Sequence, residues 1–148
     1  MKSTNEHVTS TVINSPSYGE LLPQPHQIYE FVKGMVGFQS IVSYALMPYE
    51  DSVLYILHAL DEERSFILMP AEHVQDYSFT IDKVTVEALE IEQPEDIVTM
   101  LVVNIIDGAI SVNLRAPVLF SPKTQKACQY ILTDSNLPVR YFIQGRGD

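Results

Sequence analysis

Four histidines, one cysteine and a block of carboxylates are the residues of this 148-residue chain that could serve as ligands, nucleophiles or proton carriers. His7, His26, His58 and His73 form no His-x-His or His-Glu-x-x-His pair, the spacings that bring two imidazoles to one metal ion. Glu72, His73 and Asp76 are close enough in sequence to hold a metal. A solvated loop is by far the better expectation. Cys128 has Lys126 two residues away, on the same face of a strand, where a positive charge would favour the thiolate. No histidine adjoins it, and a buried structural thiol is the simpler expectation. The chain has no Gly-x-Ser-x-Gly elbow. Gly34 and Gly37 are wrongly spaced for a phosphate-cradling loop and lack the Lys-Ser or Lys-Thr that would follow. An acid/base pair would have to come from Asp82, Glu87, Glu90, Glu92, Glu95 and Asp96, with Lys83 the lone base among them. Such a pair needs surroundings that push two pKa values apart, and nothing in this polar stretch suggests burial. It reads as a solvated acidic face, whose functional counterpart is a surface that meets a basic protein. No catalytic residue, metal or cofactor is expected.

Charge sharpens that expectation. Nineteen acids against nine bases give a formal net charge of −10. Nucleic-acid affinity rests on Lys and Arg neutralising phosphates, so this balance argues against direct nucleic-acid binding. It likewise disfavours anionic membrane surfaces. It favours solubility and a basic partner. Eight Tyr and six Phe could stack bases on a basic sheet, but the basic half of that pattern is missing, which leaves core packing and a protein interface. A single cysteine excludes an internal disulfide framework and fits a reducing compartment. The N-terminus is polar, without a signal-peptide core. The longest apolar run, 97–106, is too short to span a bilayer and includes Thr99 and Asn104. The expectation is a cytoplasmic protein of one domain, 1–148, with loose tails at 1–8 and 145–148. The closing Arg146-Gly147-Asp148 spells an adhesion tripeptide and is taken as chance.

The strongest local signal is a hairpin. Residues 97–106 and 109–118 are two arms rich in β-branched residues, joined by Asp107-Gly108, a pairing that favours a tight hairpin turn. In the second arm Ile110, Val112 and Leu114 should point inward, and Ser111, Asn113 and Arg115 outward. Pro117 removes a ladder donor and predicts a sheet edge or a bulge there. Further strands are expected over 8–14, 27–33, 41–47, 53–60, 65–69, 77–81, 129–132 and 139–143. Asp82 is a plausible N-cap for one short helix over 82–90, although Val84, Thr85 and Val86 are poor helix formers. Residues 93–96 should form a turn or a single helical turn. Many short strands with regular turn signals predict an all-β, mainly antiparallel fold, barrel-like or a sandwich, with one short helix.

Several of these features occur together, in order, in one known family. Tyr18-Gly19-Glu20, then Phe31, Gly34 and Gly37-Phe38, then Ser65-Phe66 with Pro70, precede the apolar strand after Glu95-Asp96. Asn113-Leu114-Arg115-Ala116-Pro117 follows, then Gln129 and Leu132. This series resembles the flagellar assembly factor FliW family over roughly residues 10–143. His58-Ala59-Leu60 departs from the Leu-Gln-Ser run the family often has before its acidic turn, and the N-terminal tail is long. The resemblance implies an antiparallel barrel-like fold and a regulator without catalysis. It also implies two protein partners: the RNA-binding translational repressor CsrA, whose repression of flagellin mRNA is antagonised, and flagellin, which takes the factor away from CsrA. The repressor-facing surface is placed at Asp82, Glu87, Glu90, Glu92, Glu95 and Asp96. Asn113, Arg115 and Gln129 match the family pattern, and for them a structural role is favoured over an interface.

Two rivals carry distinct signatures. A small-ligand-binding or enzymatic β-barrel would show a deep cavity with convergent polar groups. A nucleic-acid-binding barrel would need a basic groove, which nine scattered bases do not suggest.

Overall fold

The computed structural model describes residues 12–133 and 136–143. His7, the tails at 1–8 and 145–148, most of the first expected strand and the terminal tripeptide lie outside the described residues. Eleven strands are described: β1 (Ile13–Ser15), β2 (Gly19–Leu21), β3 (Ile28–Lys33), β4 (Ser43–Pro48), β5 (Tyr55–Ala59), β6 (Ser65–Pro70), β7 (Val98–Ile106), β8 (Ala109–Val112), β9 (Val118–Ser121), β10 (Lys126–Gln129) and β11 (Tyr141–Phe142). The one α-helix among them, α1, is Lys83–Ala88.

Strands β3 to β7 run as an antiparallel meander. β9 pairs with the first half of β7, and β10 pairs with β9. β10 then lies parallel to β3. Those pairings close a ring of seven strands. β8 extends the other half of β7 beyond the ring, and β11 borders β8. The expected all-β, mainly antiparallel fold with one short helix is therefore the observed one, and the barrel is the form it takes.

Alternation along each strand divides the apolar residues between two faces. Tyr29, Phe31, Tyr44, Leu57, Leu68, Met100, Val118, Phe120 and Ala127 fill the interior. Aromatic pairs lock it, Tyr29 edge-on to Phe120 with ring centroids 5.0 Å apart and Phe31 tilted against Tyr44 at 4.7 Å. The opposite face is covered in three places. The β1–β2 hairpin sits over Ala45 and Met47. Leu114, Val74 and neighbouring loops cover Met69, Leu101 and Val103. Segment 79–91 covers Leu119 and Cys128. Strands buried on both sides read as continuous apolar runs rather than alternating ones, as β5, β6 and β7 do.

The Asp107-Gly108 turn joins β7 to β8 as expected, with φ of 51° and 81° at its two residues. The second arm departs from expectation, because it is not one strand. Val112 faces Val103 and Val118 faces Met100, so five residues, 113–117, oppose only two of β7. Pro117 thus ends a bulge between two strands on the same side of β7. Ser111, expected outside, is buried, because β11 packs beside it. Residues 77–81 alternate like a strand but pair with none: their side chains serve as a lid, with Phe79 and Ile81 packed on Leu119. The strand expected at 129–132 lies earlier, at Lys126–Gln129, and the last strand shrinks to Tyr141–Phe142. Turn residues 121–125 set that offset, since Gln125 accepts the left-handed φ of 56° that reverses the chain.

One interior group is out of balance. The Tyr44 hydroxyl is fully buried and has no hydrogen-bond partner among the described residues. Burial, then the Glu62 charge, push its pKa up to about 12, while Arg64 pulls the other way. It therefore stays protonated. A buried unsatisfied hydroxyl costs about 1–3 kcal/mol. Tyr44→Phe is expected to leave thermal stability unchanged or raise it, whereas Phe120→Ala should cost about 3–5 kcal/mol. Paired thermal and urea melts check both.

Candidate functional site

The acidic stretch is built outward from one buried residue. Leu89, wholly buried, packs against Leu119 of β9 and Cys128 of β10. That contact seats α1 on the barrel. Asp82 caps the helix, its Oδ1 accepting the Thr85 N–H at 2.8 Å. The Asp82 N–H donates to the Tyr130 hydroxyl at 2.9 Å, so the helix start is tied to the chain beyond β10. At the other end Ile91 N–H donates to the Val86 carbonyl and Glu90 N–H to that of Glu87. This is a Schellman stop, and it places Glu90 at φ 59°, where glycine is usual.

The turn between β9 and β10 fixes the rest through three consecutive residues. Lys123 Nζ lies 3.2 Å from Asp96 Oδ1. The Thr124 hydroxyl donates to the Leu89 carbonyl at 2.9 Å. Gln125 Nε2 donates to the carbonyls of Pro25 and Ile28, each at 2.8 Å. Asp96 also accepts the Gln93 N–H at 3.0 Å, closing the single helical turn Pro94–Asp96.

The six acids therefore divide. Hydrogen bonds from the Thr85 side chain and backbone hold the Asp82 carboxyl below its usual range. Burial pushes Asp96 up, but the Gln93 N–H and Lys123 outweigh it and its carboxyl also lies low. Both are ionised and locally engaged. Glu87, Glu90, Glu92 and Glu95 are exposed, and none is in an ion pair among the described residues. They are four outward charges on a fixed frame. Sequence reasoning grouped all six, although it offered Asp82 as a cap; the long-range Lys123 contact is invisible in spacing.

The family-pattern residues lie elsewhere, in the bulge. Asn113 Oδ1 accepts the Arg115 N–H at 2.9 Å, a local turn that holds the bulge open. The Leu114 carbonyl accepts the Tyr77 hydroxyl at 2.7 Å. Gln129, buried at the end of β10, spans the gap. Its Nε2 donates to the Ala116 carbonyl at 3.1 Å, and its Oε1 accepts the Val36 N–H at 2.7 Å. The Pro117 carbonyl accepts the Tyr130 N–H at 2.8 Å. The Gln129 amide thus joins the bulge to a loop residue, Val36, that lies 93 positions from Gln129 in sequence.

The remaining candidates are dispersed. Burial pushes the Cys128 thiol up to about 11, with Lys33 opposing and Asp82 reinforcing, so it is unreactive at neutral pH. Lys126, offered above as its activator, instead lies 3.3 Å from Glu30. His58 is buried with Nδ1 2.8 Å from the Ala59 carbonyl. His26 and His73 sit in short helical turns on the surface. Among the described residues no three His, Cys, Asp or Glu are grouped to hold a metal ion. Among them, too, no helix is long and apolar enough to cross a membrane.

The profile of the family described as FliW protein matches residues 11–143. The chain belongs to the FliW family. The flagellar assembly factor FliW of Caldicellulosiruptor saccharolyticus is 30% identical over 140 residues, with 92% of each chain covered. That of Bacillus licheniformis is 33% identical over 139 residues, covering 90% of this chain and 97% of the relative. A crystal structure of the flagellar assembly factor FliW superposes with a TM-score of 0.84 at 21% identity, over 93% of this chain and 99% of that one. The barrel is therefore the fold of FliW. The residues that carried the resemblance in sequence, Asn113 to Pro117 and Gln129, are the bulge and the clamp that holds it.

Removing the clamp strands the buried Ala116 carbonyl, a loss of about 1–3 kcal/mol, and frees the part-buried Val36 N–H. Gln129→Ala should destabilise the protein by about 2–4 kcal/mol and speed hydrogen exchange at the Val36 amide. A melt and amide exchange measured together check this; an unchanged Val36 amide would remove the clamp from the account.

Proposed function

We propose that this chain is a cytoplasmic, single-domain regulator that docks onto a CsrA-type translational repressor, and onto flagellin, without transforming either. Binding to the repressor frees flagellin mRNA for translation, and free flagellin withdraws the factor again. Family membership supports the flagellar setting. The observation that carries the repressor half is the set of outward glutamates, Glu87 on α1 and Glu90, Glu92 and Glu95 in the stretch after it, on a frame seated by buried Leu89.

An RNA-binding protein is basic near its RNA path. A partner of net charge −10 is steered toward it and adds a negative field unfavourable to RNA. That field acts without occupying the RNA site. If the two ligands are coupled this way, RNA weakens the protein contact by the same factor as the protein weakens RNA. Asp82 and Asp96 contribute charge to this face but are held by the helix cap and by Lys123. The glutamates are therefore the variable part of the contact.

The test is capture of purified repressor and flagellin, with flagellin then added as a competitor. The triple variant Glu87→Lys, Glu92→Lys, Glu95→Lys should lower repressor affinity at least about tenfold. Its melting temperature should shift little, since exposed charges contribute little to stability. Unchanged affinity places the repressor elsewhere, and capture of neither protein ends the proposal.

A further inference from the structure

Residues 77–81 alternate like a strand and yet join no ladder. Tyr77, Phe79 and Ile81 are half-buried, Ser78 and Thr80 are exposed, and no turn or bend interrupts the run. Its inward side chains are pinned. The Tyr77 hydroxyl donates to the Leu114 carbonyl at 2.7 Å, the Phe79 ring stacks on Tyr130 with centroids 6.1 Å apart, and Ile81 packs on Leu119. An extended run held by alternate side chains points its backbone groups sideways, along the surface. No N–H of residues 77–81 donates a hydrogen bond among the described residues.

Tyr130 decides which side is open. Its hydroxyl accepts the Asp82 N–H at 2.9 Å and donates to the Thr80 carbonyl at 3.3 Å. In an extended chain the N–H and C=O of one residue point to one side, and those of the next residue to the other. The groups of Thr80 and Asp82 therefore face Tyr130. Those of Tyr77, Phe79 and Ile81 face away from it, as one free edge. The groove on the Tyr130 side is lined by the chain beyond β10. On the other side a separate groove of about 500 Å³ runs beside residues 77–79, with Glu72, Val74, Asp76 and Thr99 in its walls. Glu72 and Asp76 are exposed, neither is in an ion pair among the described residues, and no base lines that groove among them. Sheet edges are commonly blunted by Lys, Pro or a bulge. Residues 77–81 contain neither Lys nor Pro, and Tyr, Phe, Thr and Ile all favour strands.

We infer that this edge accepts one added strand, from an extended polypeptide segment in which basic side chains alternate with apolar ones. The main chain of the segment pairs with the free groups of Tyr77, Phe79 and Ile81. Its basic side chains meet Glu72 and Asp76, and its apolar ones rest on Val74 and Phe79. Charge complementarity selects this occupant, since both carboxylates repel an acidic segment. The pinned side chains hold the edge in place beforehand, so little order has to be gained on its side. The inference does not depend on which proteins the chain binds.

The test follows backbone amides of the full chain by NMR and hydrogen exchange. The probes are a short peptide of alternating valine and lysine, its valine–glutamate counterpart, and the lysine peptide N-methylated at alternate residues on its pairing edge. At saturation the lysine peptide should slow exchange at Tyr77, Phe79 and Ile81 at least about tenfold and leave Ser78 and Thr80 unchanged. The glutamate and N-methylated peptides should protect none of them. The double variant Glu72→Gln, Asp76→Asn should weaken the lysine peptide about fivefold. Absence of protection, equal protection at Ser78 and Thr80, or equal binding of either control peptide overturns the inference. Protection that rises with protein concentration in the absence of peptide also overturns it, by making the occupant a second copy of this chain. The triple glutamate variant described above should still show the three protected amides, so failure here and failure of the proposed function are read apart.

Discussion

The pairing of β10 with both β9 and β3 is the constraint on which the rest of this molecule depends. Without it the meander β3 to β7 is an open sheet with two free edges. With it the sheet becomes a ring. Closure removes those edges, and it forces alternate side chains inward onto the Tyr29, Phe31, Tyr44 and Phe120 cluster. The other set of side chains faces out and must be covered. Hairpin, loops and α1 do so, and each brings a different part of the chain to the surface at a defined place.

The acidic face and the bulge both hang from those same two strands. Leu89 seats α1 on Leu119 and Cys128. The β9–β10 turn holds Asp96 and the Leu89 and Ile28 carbonyls through Lys123, Thr124 and Gln125. Gln129, the last residue of β10, ties the bulge to the 35–38 loop. A rigid frame of this kind suits recognition, because little order has to be gained on binding. It also divides charge between two tasks. Asp82 and Asp96 have carboxyl pKa values held low, by the Thr85 contacts in one case and by Gln93 and Lys123 against burial in the other. Their stabilising effect is complete above the usual carboxylate pKa and is lost as pH falls through their lowered values. The exposed glutamates of this face have no ion pair among the described residues.

Much of this was legible in sequence. The Asp107-Gly108 turn, the Asp82 cap and the turn Pro94–Asp96 are local, and local chemistry decides them. Strands β3 to β7 stood out as apolar runs between turn residues. Residues 77–81 misled because alternation marks one apolar face, whether that face joins a ladder or closes over one. Pro117 correctly signalled a bulge. Its width did not show, because the register of β9 on β7 depends on where β10 closes the ring. Within the acidic face, position 96 is engaged by Lys123, and no spacing rule reaches across that distance. Gln129 was noticed only as part of a pattern; its two hydrogen bonds join segments that sequence keeps far apart.

Amide hydrogen exchange at β10 and at Glu30, whose N–H donates to the Gln125 carbonyl at 2.9 Å, tests ring closure most directly. If the parallel pairing is integral to the barrel, these amides exchange only through global unfolding, with the same protection as the β4–β5 ladder. Exchange of β10 through a smaller opening, with β4 and β5 still protected, would mean that the ring is not the unit that holds this protein together.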